Sequence, residues 1–231
     1  MRILAFDSAT VACSAAVWCD GAVRAHRSAR LDRGHAEALM PMVVSVMAEA
    51  GLRYPDLDLV AVTVGPGTFT GVRIGLAAAR GLALASGLPV AGITTFEALA
   101  RAVPAPARRG RRVVAALDAR RDEVYLQAFR PGLAPLGPPR AVPRPQLAQA
   151  VPKGRLVLAG TGAGVVREAL AGRAKETTVA DEAELPDAAF VAKAAAIRYQ
   201  REGVALPREA PGPLYLRAPG ARLPDQSGRG R

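Results

Sequence analysis

One order of elements occurs twice along this chain, and it restricts the fold more than any single motif does. In the first hundred residues, RILAFDS, CSAAVWC and AVRAHRSA have strand length and strand composition, and Asp20-Gly21 between the last two is a favoured two-residue hairpin turn. HAEALMPMVVSVMAEAG follows with Leu39, Met40, Val43, Val46, Met47 and Ala50 at helical spacing, and it ends at Gly51. Pro41 lies beyond the first turn of that helix, which predicts a kink or a late start. DLVAVTV is a buried-strand pattern, GPGTFTG a glycine turn, and VRIGLAAARGLALA a helix; PVAGIT and TFEALARAV add a strand and a short helix. Past the Pro, Ala and Arg of PAPARRGRR the order returns. RRVVAALDAR and EVYLQAF read as strands, with a third near Arg140 to Pro143; PQLAQAV is a short helix, RLVLAG a buried strand, and TGAGVVREALAG a glycine turn entering a helix.

Two halves that both run strand, strand, strand, helix, strand, glycine turn, helix point to an α/β protein of the actin-like ATPase (ASKHA) fold. That fold has two lobes, each a mixed sheet begun by a β-hairpin and flanked by helices. The expected division is an N-terminal lobe over 1–103 and a connector over 104–110. A smaller second lobe plus the final helix DAAFVAKAAAIRYQREG then fills 111–206, and a partly disordered tail covers 207–231. The halves share element order without residue identity.

Composition narrows the function classes. With 231 residues, half of them apolar, the chain can bury a substantial core. Asp7 interrupts the first apolar run after four residues, too early for a secretory h-region, so a cytoplasmic protein with no membrane association is expected. Cys13 and Cys19 are too few for a disulfide scaffold and read as free thiols. The formal net charge of +11 suggests nucleic acid, but arginine outnumbers lysine (Lys153, Lys175 and Lys193) so heavily that GC-rich codon usage dilutes the signal. The densest stretch is Arg101, Arg108, Arg109, Arg111, Arg112, Arg120 and Arg121; aromatic residues, at 4%, are too sparse for a base-stacking platform.

The glycine loop is the first candidate site. Unpaired N–H groups and the dipole at a helix start favour anions. Gly65, Gly67, Thr68, Thr70 and Arg73 therefore form a possible nucleotide or anion loop, together with Asp7, Ser8 and Thr10 at the end of the first strand. The same residues fit a tight turn with a threonine cap, since GPGTFTG lacks the Lys-Ser/Thr pair of a Walker A loop. Beyond it, Gly71, Gly75, Ala79 and Ala83 form a small-residue stripe that invites close approach by another backbone, either the chain's own or a partner's. On the helix over 35–50, Met40, Val44 and Met47 widen the Leu39, Val43, Val46 stripe beyond what one buried face needs. Asp118, Arg120, Arg121 and Glu123 surround the second lobe's hairpin, where Asp118 ends its strand as Asp7 does. His26 and His35 lie far from any GxSxG elbow, and no His or Cys pair has metal-ligand spacing.

The segments FDSATVACSAAVW, HAEALMPMV, VGPGTFTGVRIGLAAARGLALASGLPVAGITTFEALA and LDARRDEVYLQAF resemble the bacterial TsaB (YeaZ) family, densely over residues 1 to about 130. The resemblance implies a non-catalytic paralogue of TsaD, the subunit that makes threonylcarbamoyladenosine in tRNAs reading A-starting codons, at the adenosine 3′ of the anticodon. TsaD-like proteins carry two metal-binding histidines four apart just after the strand matching PVAGI; here Thr95 and Leu99 stand in those places. The resemblance further implies a TsaD-like catalytic partner, a TsaE-like ATPase, a homodimer when alone, and tRNA contact through the complex. ATP and a metal ion are expected in the partner subunits, and no cofactor, catalytic residue or metal site in this chain. The implied interface comprises Leu39, Met40, Val43, Val44, Met47, Gly71, Ile74, Gly75 and Ala78. The alternative is an actin-fold small-molecule phosphotransferase using Asp7 and the glycine turns. A metal-dependent peptidase is disfavoured by the missing histidines.

Overall fold

A computed structural model of the protein describes residues 1–119, 122–202 and 211–217. Arg120, Arg121 and residues 203–210 and 218–231, which include most of the expected tail, lie outside the described residues.

Strands β1 (Arg2–Asp7), β2 (Ala12–Cys19), β3 (Ala22–Arg30), β4 (Leu59–Gly65) and β5 (Val90–Thr94) form one sheet in the order β3-β2-β1-β4-β5. Strands β6 (Arg112–Asp118), β7 (Glu123–Phe129), β8 (Arg140–Pro143), β9 (Leu156–Ala159) and β10 (Thr177–Val179) form a second in the order β8-β7-β6-β9-β10. In both sheets the first strand pairs antiparallel with the second and parallel with the fourth. The two lobes therefore share one topology, the actin-like one expected from element order. The three-residue β10 was not foreseen, because TTV between charged residues is too short to show a period. Asp20 and Gly21 both have positive φ (48° and 99°), as the hairpin turn requires.

Helices α1 (His35–Ala50) and α2 (Phe69–Ser86) cover one face of the first sheet, where Leu39, Val43 and Val46 and then Val72, Leu76 and Ala79 meet Leu4, Phe6, Ala15 and Val17. Pro41 causes no late start in α1: both it and Glu37, whose carbonyl loses its helical donor, are exposed to water. The second sheet is backed by the short α4 (Leu147–Ala150) and α5 (Ala163–Ala169), through Leu147, Val166 and Leu170.

Two helices sit apart from their place in the sequence. The final helix, α6 (Ala188–Glu202), covers the other face of the first sheet, with Val191, Ala192 and Ala195 against Ile3, Ala5, Leu59 and Ile93. The sequence division joined it to the second lobe; its alanine-rich face fits the flat side of the first sheet. In exchange, α3 (Thr95–Ala102) presents Phe96, Leu99 and Ala100 to Val113, Ala115 and Phe129 of the second sheet. A capping box at α3, with Thr94 and Glu97 bonding each other's backbone N–H, fixes where it starts and is worth about 1 kcal/mol. Arg198 of α6 then donates to Glu97 Oε1 at 2.6 Å and to the Gly92 carbonyl at 2.7 Å, joining the crossed helices.

Candidate functional site

β1 delivers Asp7 to the glycine loop, where its side chain is fully buried. The Thr63 hydroxyl donates to Asp7 Oδ1, and the Ala9 N–H donates to the same oxygen at 3.3 Å. Oδ2 has no hydrogen-bond partner among the described residues. Burial, which penalises the charged form, pushes the carboxyl from its ordinary 3.8 up to about 7. The two hydrogen bonds oppose that shift, and the nearby Asp187 charge adds to it.

Several groups of the exposed turn over 67–70 are bonded within the chain. Thr68 N–H donates to the Ala9 carbonyl at 2.7 Å, Ser8 Oγ donates to the Gly71 carbonyl at 2.9 Å, and Thr68 Oγ1 caps α2 by accepting from Gly71 N–H at 3.0 Å. A Cβ at Gly67 would stand 2.2 Å from the Ala9 carbonyl oxygen, and one at Gly71 2.1 Å from that of Ser8. At Gly75 it would meet Ser8 Oγ at 2.9 Å. The glycines thus let α2 and its turn lie directly on the backbone after β1. Gly71 and Gly75, expected at a partner interface, are buried inside the lobe, so the small-residue stripe faces the chain's own strand end. Thr10, expected beside an anion, has its hydroxyl engaged by Ala12 N–H (3.2 Å) and its carbonyl by His35 Nε2 (2.9 Å). Thr70 is exposed.

Arg73 does not face an anion seat. Its guanidinium lies 3.5 Å from the centroid of the Phe69 ring, and its Nε donates to Tyr215 Oη at 3.0 Å. Tyr215 in turn stacks on Phe69, with centroids 5.8 Å apart. Tyr215 belongs to the segment 211–217, which crosses the glycine turn. Leu214 N–H donates to the Val64 carbonyl at 2.7 Å, and the Leu214 carbonyl oxygen would lie 2.8 Å from a Cβ on Gly65, whose φ is 105°. Arg217 then reaches the second lobe, pairing with Glu123 beside the Tyr125 ring. This strap went unrecognised at sequence level; the largely apolar PGPLYLR was the available signal.

The second lobe repeats the turn in a different setting. Gly160 (φ 93°) packs so that a Cβ would stand 2.1 Å from the Ala116 carbonyl oxygen, and Thr161 Oγ1 accepts from Asp118 N–H at 3.2 Å. Asp118, the counterpart of Asp7, is exposed and pairs with Arg144 at 3.5 Å.

On the helical face, Leu39, Val43 and Met47 are core residues and Ile74 and Ala78 are half-buried. Met40 and Val44 remain 37% and 57% exposed on α1, while Phe69 and Leu84 are 51% and 90% exposed on α2. Thr95 and Leu99 are completely buried, Leu99 within the core between the lobes, and the Thr95 hydroxyl has no partner among the described residues. Among those residues no group of three His, Cys, Asp or Glu side chains is placed to hold a metal, and no helix is long and apolar enough to cross a membrane.

Residues 29–134 match the family described as TsaD, tRNA N6-adenosine threonylcarbamoyltransferase. The Escherichia coli tRNA threonylcarbamoyladenosine biosynthesis protein TsaB is 44% identical over 131 residues, 56% of this chain and 55% of that protein. The Haemophilus influenzae protein of the same name is 39% identical over 125 residues, 54% of this chain and 52% of that protein. A solved structure of YeaZ from Pseudomonas aeruginosa superimposes with a TM-score of 0.77 at 31% identity, covering 93% of this chain and 99% of that one. The chain belongs to the TsaB (YeaZ) family. The aligned sequence spans about half the length of the curated TsaB relatives, whereas the structural match extends over both lobes, so the family's architecture persists where sequence identity thins.

Proposed function

We propose that this chain is a non-catalytic docking subunit of the assembly that transfers a threonylcarbamoyl group to tRNA. It binds a TsaD-like catalytic subunit and supports recruitment of a TsaE-like ATPase; alone, it pairs with itself. The observation that carries this reading is a contrast within the first lobe. Ser8, Thr10 and Thr68 of the loop and Arg73 Nε are engaged by the chain's own groups, while Met40 and Val44 on α1 and Leu84 on α2 remain exposed. Apolar side chains of that size on adjoining helices suit a partner helix better than water. ATP and metal chemistry belong, on this reading, to the partner subunits. The buried Thr95 and Leu99, in place of paired imidazoles, support that division, and the occupied loop weighs against a phosphotransferase.

The test is a drop-out reconstitution with TsaD, TsaE, threonylcarbamoyl-adenylate and tRNA, scoring modified adenosine with and without this chain. Product is expected only when the chain is present, and none from the chain alone. Product that is unaffected by its omission would overturn the role. Met40→Glu with Val44→Glu should abolish co-elution with TsaD while leaving the melting temperature of the isolated chain in place.

A further inference from the structure

One edge of the second sheet gathers cations from several connectors. β6 and β9 run parallel, so their first residues share one edge, where Arg112 lies beside Leu156. The register Val113 to Phe129 brings the end of β7 there, and Leu126 to Arg140 brings the start of β8. Three connectors meet at that edge: 104–111, 130–139 and 150–155. They contain Arg108, Arg109, Arg111, Arg130, Lys153 and Arg155 and no acidic residue. Arg112 and Arg140 begin the strands between them. Among the described residues, the acidic ones on this side are Glu168, in the last turn of α5, and Glu176, just before β10. The opposite edge holds Asp118, Asp122, Glu123, Asp181 and Glu182, with Arg144 and Arg217 paired to two of them.

The edge is held rigid by its own cations. Arg108 donates to the Pro131 carbonyl at 2.6 Å, Arg112 to that of Lys153, and Arg140 to that of Ala150 at 2.9 Å. These neutral acceptors anchor the guanidinium groups without cancelling their charge. Arg109, Arg130, Lys153 and Arg155 are exposed and have no side-chain partner among the described residues. Three of those four are arginines, whose planar fork suits phosphate oxygens.

We infer that this edge of the second lobe is a binding surface for the phosphate backbone of RNA. Several fixed cations along one rim, with neither a stacking platform nor a base-reading helix, give attraction that is insensitive to base sequence and sensitive to salt. The surface lies away from the helical docking face of the first lobe, so RNA and a protein partner can be held together. For the identity of the RNA as tRNA, the inference rests on the proposed role above.

The experiment titrates labelled tRNA with the full chain across a salt series and compares two triple variants. Arg109→Ala/Arg130→Ala/Arg155→Ala removes three partnerless cations of this edge; Arg24→Ala/Arg33→Ala/Lys193→Ala removes three exposed cations from the first lobe. The edge variant should bind tRNA about tenfold more weakly, or worse, at low salt, with a salt slope flatter by about one for each phosphate it no longer neutralises. The first-lobe variant should bind like the parent, and both should melt like it. Equal weakening by the two variants, or no salt-dependent binding by the parent chain, overturns the inference. So does an edge variant that loses only binding to vesicles of anionic phospholipid. The two readings fail separately: an edge variant with normal RNA affinity defeats this one, while product formed without the chain defeats only the proposed role.

Discussion

The two lobes place a glycine turn and a strand-end aspartate at corresponding points of the same topology, yet the two aspartates differ sharply. Asp7 is sealed, with its carboxyl pushed up to about 7, whereas Asp118 is exposed and paired with Arg144. Local sequence does not explain this, since both turns rest glycine against a carbonyl of the first strand or the loop after it. The covering elements do. The first sheet is flanked by α1 and α2 on one side and by α6 on the other, and the strap 211–217 lies across its turn. The second has only the short α4 and α5 and the borrowed α3 among the described residues. The strand-end aspartate of a duplicated motif is thus sealed in one lobe and exposed in the other.

Substitutions can break this comparison, most severely at the joint itself. Gly71→Ala forces a methyl into the Ser8 carbonyl and should cost about 3 kcal/mol or prevent folding, read by urea denaturation. Near-parent stability would show that the loop does not pack on the strand end. Asp7→Asn comes next and is read by its effect on the pH dependence of stability. Asp7 has a raised carboxyl, so its protonated form suits the fold; stability falls as pH rises from about 4 through about 7, where the buried group must ionise. The variant should lose that fall, on the order of a few kcal/mol by pH 8. His26, raised by its hydrogen bond to Asp187, has the same sign: its pair is complete below its ordinary 6.5 and is lost as pH rises beyond it, so the profile is best measured in the His26→Gln background.

Tyr215→Ala tests the strap. Losing the Phe69 stack and the Arg73 hydrogen bond should cost about 1 kcal/mol and speed hydrogen exchange at Leu214 N–H without changing exchange in β6. The smallest effect is favourable. Gly81 sits in α2 with open space around it, so Gly81→Ala should stabilise the chain by roughly 0.8–1 kcal/mol, measured as a rise in the urea midpoint. The opposite signs at Gly71 and Gly81 would separate glycine that close packing requires from glycine that it does not.

Much of this molecule was legible in one dimension. Element order carried the paired sheets, because period and turn chemistry are local properties: the Asp20-Gly21 hairpin, the Gly51 stop and the Thr68 cap each depend on neighbours in the chain. The absence of the imidazole pair was equally plain at Thr95 and Leu99. Other features needed the third dimension because they depend on partners distant in sequence. The small-residue stripe gave no direction until Ser8 was found beneath it, α6 left its sequence neighbours for β1, and Tyr215 came 142 residues back to Arg73. The arginine-dense stretch misled in the same way: the fold sends Arg108 to Arg112 to one rim and recruits Arg130, Arg140, Lys153 and Arg155 to join them. Sequence by itself determined which segments are strands and helices, since period and turn chemistry are local properties of the chain. Only tertiary packing decided which surfaces are sealed and which are left for partners, because burial and charge at a point are sums over everything the fold brings near it.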